Sequence, residues 1–305
     1  MTELLETKRL EKLARRWLPP AAARFAKRCT VGTRYRAQAA ECRAGFERHG
    51  ERYRQHILFV AGLPKSGTTW LERMLASFPG FSDVLIPDVA AFELAHGGSD
   101  RYDLPPDIFD RFHRMLVLTK MHVHGSPHNV EVLRKAGVRY VVLFRDLRDV
   151  AVSNVHYVQN TPWHPEHRHY RGLEMRDALE VFARRTLEDY ADWVRSWAAN
   201  RDPNASLVLR YEQMLEDPTG VLRSVADHFE LGADDERIER IVEANSFKRL
   251  SSGRERGQEP ADGSFFRKGV AGDWVNHFTP ELRESYKRRI GRFLIEFGYE
   301  RDESW

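Results

Sequence analysis

The 305-residue sequence predicts a single α/β domain, its central, mostly parallel sheet flanked by helices, with a basic helical extension at the N-terminus. Three observations point there. From residue 56 onward, short apolar runs alternate with segments of helical periodicity, and strands separated by helices imply βαβ units with right-handed crossovers. The first apolar run ends in a glycine-bearing turn that opens a helix. Charge is uneven: residues 1–56 hold 14 Lys/Arg against 6 Asp/Glu, a net of +8, which leaves about −5 for the rest of a chain whose total is +3.

The length suits one large domain with a full core. Apolar content of 42% and charged content of 30% are ordinary for a soluble globular enzyme. A net charge of +3 is too small to argue for nucleic acid as a partner. Cys29 and Cys42 make no disulfide framework and read as reduced thiols of a cytoplasmic protein. No apolar stretch approaches the ~20 residues that span a bilayer. The N-terminus lacks the apolar region and small-residue cleavage site of a secretory signal, so the expectation is a soluble, intracellular protein.

Residues 1–55 read as two helices packed on a main domain of residues 56–305. Leu4, Leu5, Leu10, Leu13 and Trp17 fall near helical spacing, Pro19-Pro20 breaks the pattern, and Ala39 to Tyr53 forms a second amphipathic run. A basic surface helix of this kind can also touch anionic lipid. Strands are expected at His56–Ala61, Met115–Lys120, Arg139–Phe144 and Ser206–Arg210. Helices are expected at Thr68–Phe78, Asn129–Lys135, Leu147–Tyr157, Ala178–Asn200, Pro218–Phe229, Asp234–Asn245 and Pro280–Phe297. Ser251–Ser264, rich in Gly, Ser, Arg and Glu, reads as a mobile loop or lid.

Three segments carry chemistry. Gly62-Leu63-Pro64-Lys65-Ser66-Gly67-Thr68-Thr69-Trp70 follows the apolar run Ile57–Ala61 and precedes a helix. A strand, a turn and a helix start in that order aim backbone N–H groups and the positive end of a helix dipole at one anion. The spacing is P-loop-like, but Thr68 stands where an NTPase needs Lys, and the lysine is Lys65 instead. The anion is therefore phosphate-like without being the β/γ pair of an ATP–magnesium complex. Arg145-Asp146-Leu147-Arg148-Asp149-Val150-Ala151-Val152-Ser153 follows another strand; Arg145 can present its fork to a phosphate and Ser153 can add a hydroxyl. On its own the segment equally fits an ordinary strand-to-helix turn, or a Walker B strand ending in Asp146. Phe265-Phe266-Arg267-Lys268-Gly269-Val270-Ala271-Gly272-Asp273-Trp274 sets two cations and a glycine after an aromatic pair, which suits a dianion, although singly it fits a basic surface loop.

Together, in order and separation, the three resemble the cytosolic sulfotransferases, which use 3′-phosphoadenosine 5′-phosphosulfate (PAPS) and leave 3′-phosphoadenosine 5′-phosphate (PAP). The resemblance runs from about residue 56 to 300. It implies that Lys65 contacts the bridging region of the phosphosulfate while Ser66, Gly67, Thr68 and Thr69 cradle the 5′-phosphate. Trp70 would stack on adenine, assisted by Phe247, and Tyr211 would reach the adenine edge. Arg145, Ser153, Arg267, Lys268 and Gly269 would hold the 3′-phosphate. Trp70 and Phe247 also suit core aromatics, and Tyr211 the end of a strand. Where the family has Lys-Thr-His-Leu-Pro, this chain reads Lys120-Met121-His122-Val123-His124. Lys120 and His122 keep the Lys-x-His spacing, which implies His122 as catalytic base with His124 as its rival. Direct in-line transfer to an acceptor hydroxyl follows, with Lys65 and Lys120 stabilising the developing charge and no metal required.

The acceptor is open among small molecules, lipids and glycans. The dimer signature that often follows Gly-Asp-Trp is altered, with Val275 for Lys and Pro280 for Val, so oligomeric state is open as well. His156, His164, His167 and His169 fit no standard metal spacing and are expected on a loop that shapes the acceptor site. Rival readings are a P-loop ATP-dependent kinase and a PAPS-binding protein without catalysis.

Overall fold

The computed structural model describes residues 20–96, 101–259 and 266–305. Five strands, β1 (Ile57–Gly62), β2 (Ser82–Asp83), β3 (Val117–Met121), β4 (Tyr140–Phe144) and β5 (Ser206–Arg210), form one sheet in the order β2-β3-β1-β4-β5. Every neighbouring pair is parallel. Strands buried on both faces carry apolar side chains at successive positions, and their period of two divides the core. Phe59, Ala61, Val117, Met121, Val142 and Phe144 pack on one face. Leu58, Val60, Leu118, Val141 and Leu143 pack on the other. The chain leaves β1 toward β3 on one side and returns to β4 on the other, so strand order reverses at β1. Ligand crevices of open α/β sheets form at that point, beyond the carboxyl ends of the strands.

The helices are α1 (Pro20–His49), α2 (Thr68–Leu75), α3 (Pro87–His96), α4 (Pro127–Lys135), α5 (Leu147–Gln159), α6 (His167–Tyr170), α7 (Met175–Arg185), α8 (Leu187–Asn200), α9 (Tyr211–Glu216), α10 (Pro218–His228), α11 (Asp235–Ala244), α12 (Phe247–Leu250) and α13 (Pro280–Glu296). The four expected strands are present to within two residues at each end. The short edge strand β2 and helix α3 were not expected; β2 is too brief to leave a periodic signal. Helix α2 stops at Leu75, short of the expected Phe78, because Pro79 disfavours helical Phe78 and Gly80 takes φ +90°. The expected helix Ala178–Asn200 is two helices that meet at Thr186, whose φ −133° and ψ −31° lie outside helical values.

The expected Leu4–Trp17 helix lies outside the described residues. The second is longer than expected: α1 runs unbroken from Pro20, since proline in the first turn forfeits no helical bond. It is tied to the weak edge of the sheet. Gln38 Nε2 donates to the Asp83 carboxylate at 2.7 Å, Leu85 N donates to Gln38 Oε1 at 3.1 Å, and Leu116 N donates to the Cys42 carbonyl at 3.1 Å. Covering an edge strand removes a template for unwanted pairing. Where α1 crosses residue 80 the backbones nearly touch: a Cβ on Gly45 would overlap the Gly80 carbonyl oxygen.

Gly45→Ala should therefore destabilise the protein by about 1–3 kcal/mol, the usual cost of overpacking. Gly32→Ala on the same helix meets no atom within 4 Å and should stabilise by about 0.5–1 kcal/mol. Urea unfolding of both variants checks the pair; equal effects would mean that α1 does not pack closely here.

Candidate active site

The turn after β1 is shaped by two left-handed residues, Lys65 at φ +68° and Gly67 at φ +84°. Gly67 also has no room for a side chain, since an added Cβ would come 2.6 Å from the Tyr211 ring. Helix α2 starts directly after it, and the N–H groups of Thr68 and Thr69 have no acceptor within the helix. The Ser66 hydroxyl is fully buried and its oxygen has no hydrogen-bond partner. Lys65 Nζ lies 4.0 Å from the centre of the Tyr157 ring. Burial, reinforced by the positive charges of Arg145 and Lys120, pulls the Lys65 pKa down to about 7.

Register places the next pair of groups. Ala61 pairs with Met121, so Gly62 and His122 emerge side by side at the carboxyl ends of β1 and β3. His122 Nδ1 lies 2.5 Å from the Gly62 carbonyl oxygen. A carbonyl only accepts, so the ring proton sits on Nδ1 and the neutral ring keeps its lone pair on Nε2. Trp193 Nε1 donates to the His122 carbonyl at 2.7 Å and fixes the backbone behind it. Lys120 donates to Thr69 Oγ1 at 3.1 Å and pairs with Glu72 at 2.5 Å. His124 is buried elsewhere, its Nε2 3.9 Å from Asp189, and burial lowers its pKa.

At the end of β4, Arg145 is buried, donating from Nη2 to the Val270 carbonyl at 2.8 Å and pairing with Asp149 at 3.1 Å. Its guanidinium sits 4.4 Å from the centre of the Tyr211 ring, and its Nε has no hydrogen-bond partner. Asp146 caps α5 by accepting from Arg148 N at 2.9 Å and pairs with the Arg148 side chain at 2.7 Å. Its carboxylate is thus engaged, unlike that of a metal-binding Walker B aspartate.

The late segment folds over the same crevice. Arg267 lies 2.6 Å from Asp273, and Lys268 lies 3.1 Å from Asp273 and 2.5 Å from Glu259. Gly269 has φ +65°, and a Cβ there would overlap the Phe247 ring. The part of the expected loop at 251–259 is a run of turns stitched to this segment, with Gly257 N donating to the Lys268 carbonyl at 2.9 Å; the rest of that loop lies outside the described residues. Trp70 donates through Nε1 to the Asn245 carbonyl at 2.9 Å and meets Tyr211 edge-on at 6.4 Å. Arg256 lies 5.6 Å from the centre of the Trp70 ring. Tyr211 opens helix α9 rather than ending a strand.

The turn after β1, Lys120 and His122, Arg145, and Arg267 to Gly269 open onto one cavity of about 840 Å³. Every residue expected in the site lines it except Ser66, which lies just beneath. His124 is not among the residues that line the cavity. Tyr157, Trp163, Pro165 and Tyr190, with Asp83 and Glu93, also line it. Of the histidine-rich stretch, only His164 reaches the cavity; His156 packs near His277, with ring centres 6.3 Å apart, and His167 bonds the Val158 carbonyl at 2.8 Å.

Sequence reasoning missed Asp149, Glu72, Asn245 and Trp193. Asp149 could have been found, being one helical turn after Arg145, where opposite charges pair. Glu72 and Trp193 sit on helix faces whose partners come from distant strands, and Asn245 acts through its carbonyl, so none leaves a local signal.

Comparison with known proteins agrees with this arrangement. A family model described as a sulfotransferase domain matches residues 55–298. Sulfotransferase 1B1 of Canis lupus familiaris is 25% identical over 79% of this chain and 85% of its own length. Flavonol 3-sulfotransferase of Flaveria bidentis is 26% identical over 78% of this chain and 81% of its own. Among solved structures, mouse sulfotransferase SULT7A1 complexed with PAP superposes with a TM-score of 0.58 at 22% identity, covering 80% of this chain and 88% of that one. Retinol dehydratase in complex with androsterone and PAP gives 0.54 at 22% identity, covering 82% and 85%. These two likenesses bear on the fold, whereas the family match takes in β1 through α13, and by that match the chain belongs to the sulfotransferase domain family.

Proposed function

We propose that this protein transfers a sulfuryl group from PAPS to a hydroxyl of a small, largely apolar acceptor, with His122 as general base. One observation carries the reading: a single cavity holds the turn at Lys65–Trp70, the cations Arg145, Arg267 and Lys268, and His122. The residues suit the nucleotide. Arg145, which lines the cavity, has a buried Nε without a partner, which is costly unless a ligand supplies one. Trp70, Tyr211 and Phe247 offer an aromatic lining for a base. The donor brings a sulfuryl group on a phosphate leaving group. His122 Nε2 takes the acceptor's proton as its oxygen attacks sulfur, and the Gly62 carbonyl stabilises the imidazolium through Nδ1–H. Lys65 and Lys120 oppose the charge that builds on the sulfuryl and bridging oxygens.

Tyr157, Trp163, Pro165 and Tyr190 favour a flat or aromatic acceptor. The relative that acts on flavonols supports the same class. The kinase alternative is disfavoured by Thr68 at the lysine position and by the engagement of Asp146 with Arg148.

A labelled-PAPS transfer screen over phenols, flavonoid-like and steroid-like alcohols and amines tests the reading. His122→Ala should lose ~10²–10⁴ in rate, the usual worth of a general base. His124→Ala should stay within a few-fold of the parent. The opposite ranking would move the base to His124, and magnesium-dependent ATP turnover without sulfuryl transfer would restore the kinase reading.

Lys65 gives a pH prediction. Burial and two neighbouring cations disfavour its charge, so Lys65 is largely neutral above about pH 7. Two bound anionic groups favour the charged form, so PAP binding at pH 8 should take up protons, and affinity should weaken as pH rises from 7 to 9. Calorimetry in buffers of different ionisation enthalpy measures the uptake, and Lys65→Met should abolish it. No uptake in the parent would place Lys65 away from the bound anion.

A further inference from the structure

Asp149 is fully buried on α5 and does not line the cavity, yet three donors from two parts of the chain converge on its carboxylate. Arg145 Nη2 reaches Oδ2 at 3.1 Å, Gly272 N reaches Oδ2 at 2.7 Å, and Trp274 N reaches Oδ1 at 3.0 Å. The first donor belongs to the β4–α5 turn. The other two lie more than a hundred residues later and anchor the segment that carries Arg267, Lys268 and Gly269. That segment has little regular structure of its own between Phe266 and Gly272, so its position depends on such ties.

Burying a carboxylate costs several kcal/mol unless its lone pairs are matched, and here a cation and two amides match them. Burial opposes the charged form of Arg145, but Asp149 and its other neighbours outweigh it and raise the Arg145 pKa. Arg145 also donates to the Val270 carbonyl at 2.8 Å, so one side chain and one carboxylate bracket residues 270–274. The same guanidinium keeps its Nε without a partner.

We propose that Asp149 is a positioning residue that joins Arg145 and the 267–274 segment into one grip for the nucleotide's 3′-phosphate, and that discrimination for that phosphate depends on Asp149 without contact between the two. The proposal rests on the reading of Arg145, Arg267 and Lys268 as that grip. An amide cannot replace the carboxylate: in Asp149→Asn the side chain would offer one oxygen and one NH₂ to three donors, leaving a donor facing a donor.

The test compares binding of PAP with binding of adenosine 5′-phosphate, which lacks the 3′ group, in the parent, Asp149→Asn and Arg145→Ala. The parent should prefer PAP strongly. Asp149→Asn should lose tenfold or more of that preference, through weaker PAP binding, while adenosine 5′-phosphate binding changes less than about threefold. Arg145→Ala, which removes the guanidinium itself, should lose the preference for PAP as well. In turnover of Asp149→Asn, KM for PAPS should rise while kcat at saturation stays within about threefold. If the parent shows no preference, the assignment of the 3′-phosphate grip fails. If the parent prefers PAP and Asp149→Asn keeps that preference, or loses both nucleotides equally, the positioning role is overturned. Should the variant fail to fold, hydrogen exchange on the parent decides: PAP should protect the Gly272 and Trp274 amides at least tenfold more than adenosine 5′-phosphate does, and equal protection overturns the role.

Discussion

The position of β1 between β3 and β4, all running the same way, is the constraint on which the site depends. Parallel pairing in this register ends three strands at one level. It delivers a glycine turn from the middle strand, Lys120 and His122 from one neighbour, and Arg145 from the other. The sheet has brought their backbones together at the crevice. The contact of His122 Nδ1 with the Gly62 carbonyl is this register read out as a hydrogen bond. A one-residue slip of β3 would send Lys120 and His122 to the other face of the sheet.

The second constraint is charge. Cations gathered in a half-buried crevice repel one another, and each cluster here is countered by a carboxylate: Glu72 beside Lys120, Asp149 beside Arg145, and Asp273 beside Arg267 and Lys268. Deleting one member of a buried pair costs about 3–5 kcal/mol, more than most packing changes. The carboxylates hold the cations in place, which would lower the reorganisation needed for the proposed binding of the nucleotide. Lys65 behaves differently. Burial first, and then the charges of Arg145 and Lys120, lower its pKa.

Much of this was legible in the sequence, for physical reasons that differ by element. Strands β1, β3, β4 and β5 are apolar runs bounded by turns, and their period of two leaves little choice of assignment. The turn at Gly67 could be recognised because only glycine combines φ +84° with the absence of a Cβ against Tyr211. What escaped were pieces without local signal. Strand β2 is two residues long and is held by Gln38 and Cys42 of α1 rather than by its own pattern. The break at Thr186 falls within continuous helical periodicity, so the pattern alone joins α7 to α8. Asp149 was visible as a residue but not as a junction, since two of its donors are backbone amides from the far end of the chain.

The same contrast separates the two halves of the cavity. The half read as holding the donor is built from strand ends and the turns that follow them, where spacing, glycine conformation and register constrain residue type. The half read as holding the acceptor is built from the sides of α1, α3 and α8, the stretch between α5 and α6, and the edge strand β2. Val31 and Arg34 of α1 reach this wall, and Arg34 lies 3.5 Å from Asp83, which Gln38 also holds. Helix α1 thus reaches the half read as holding the acceptor and also covers the sheet edge. Helix sides accept almost any residue that packs, so their identities follow the molecule they meet rather than the fold they stabilise. Chemistry held by strand ends leaves a pattern in the sequence, and selectivity held by helix sides does not, which is why the donor could be read from the chain and the acceptor has to be found by transfer.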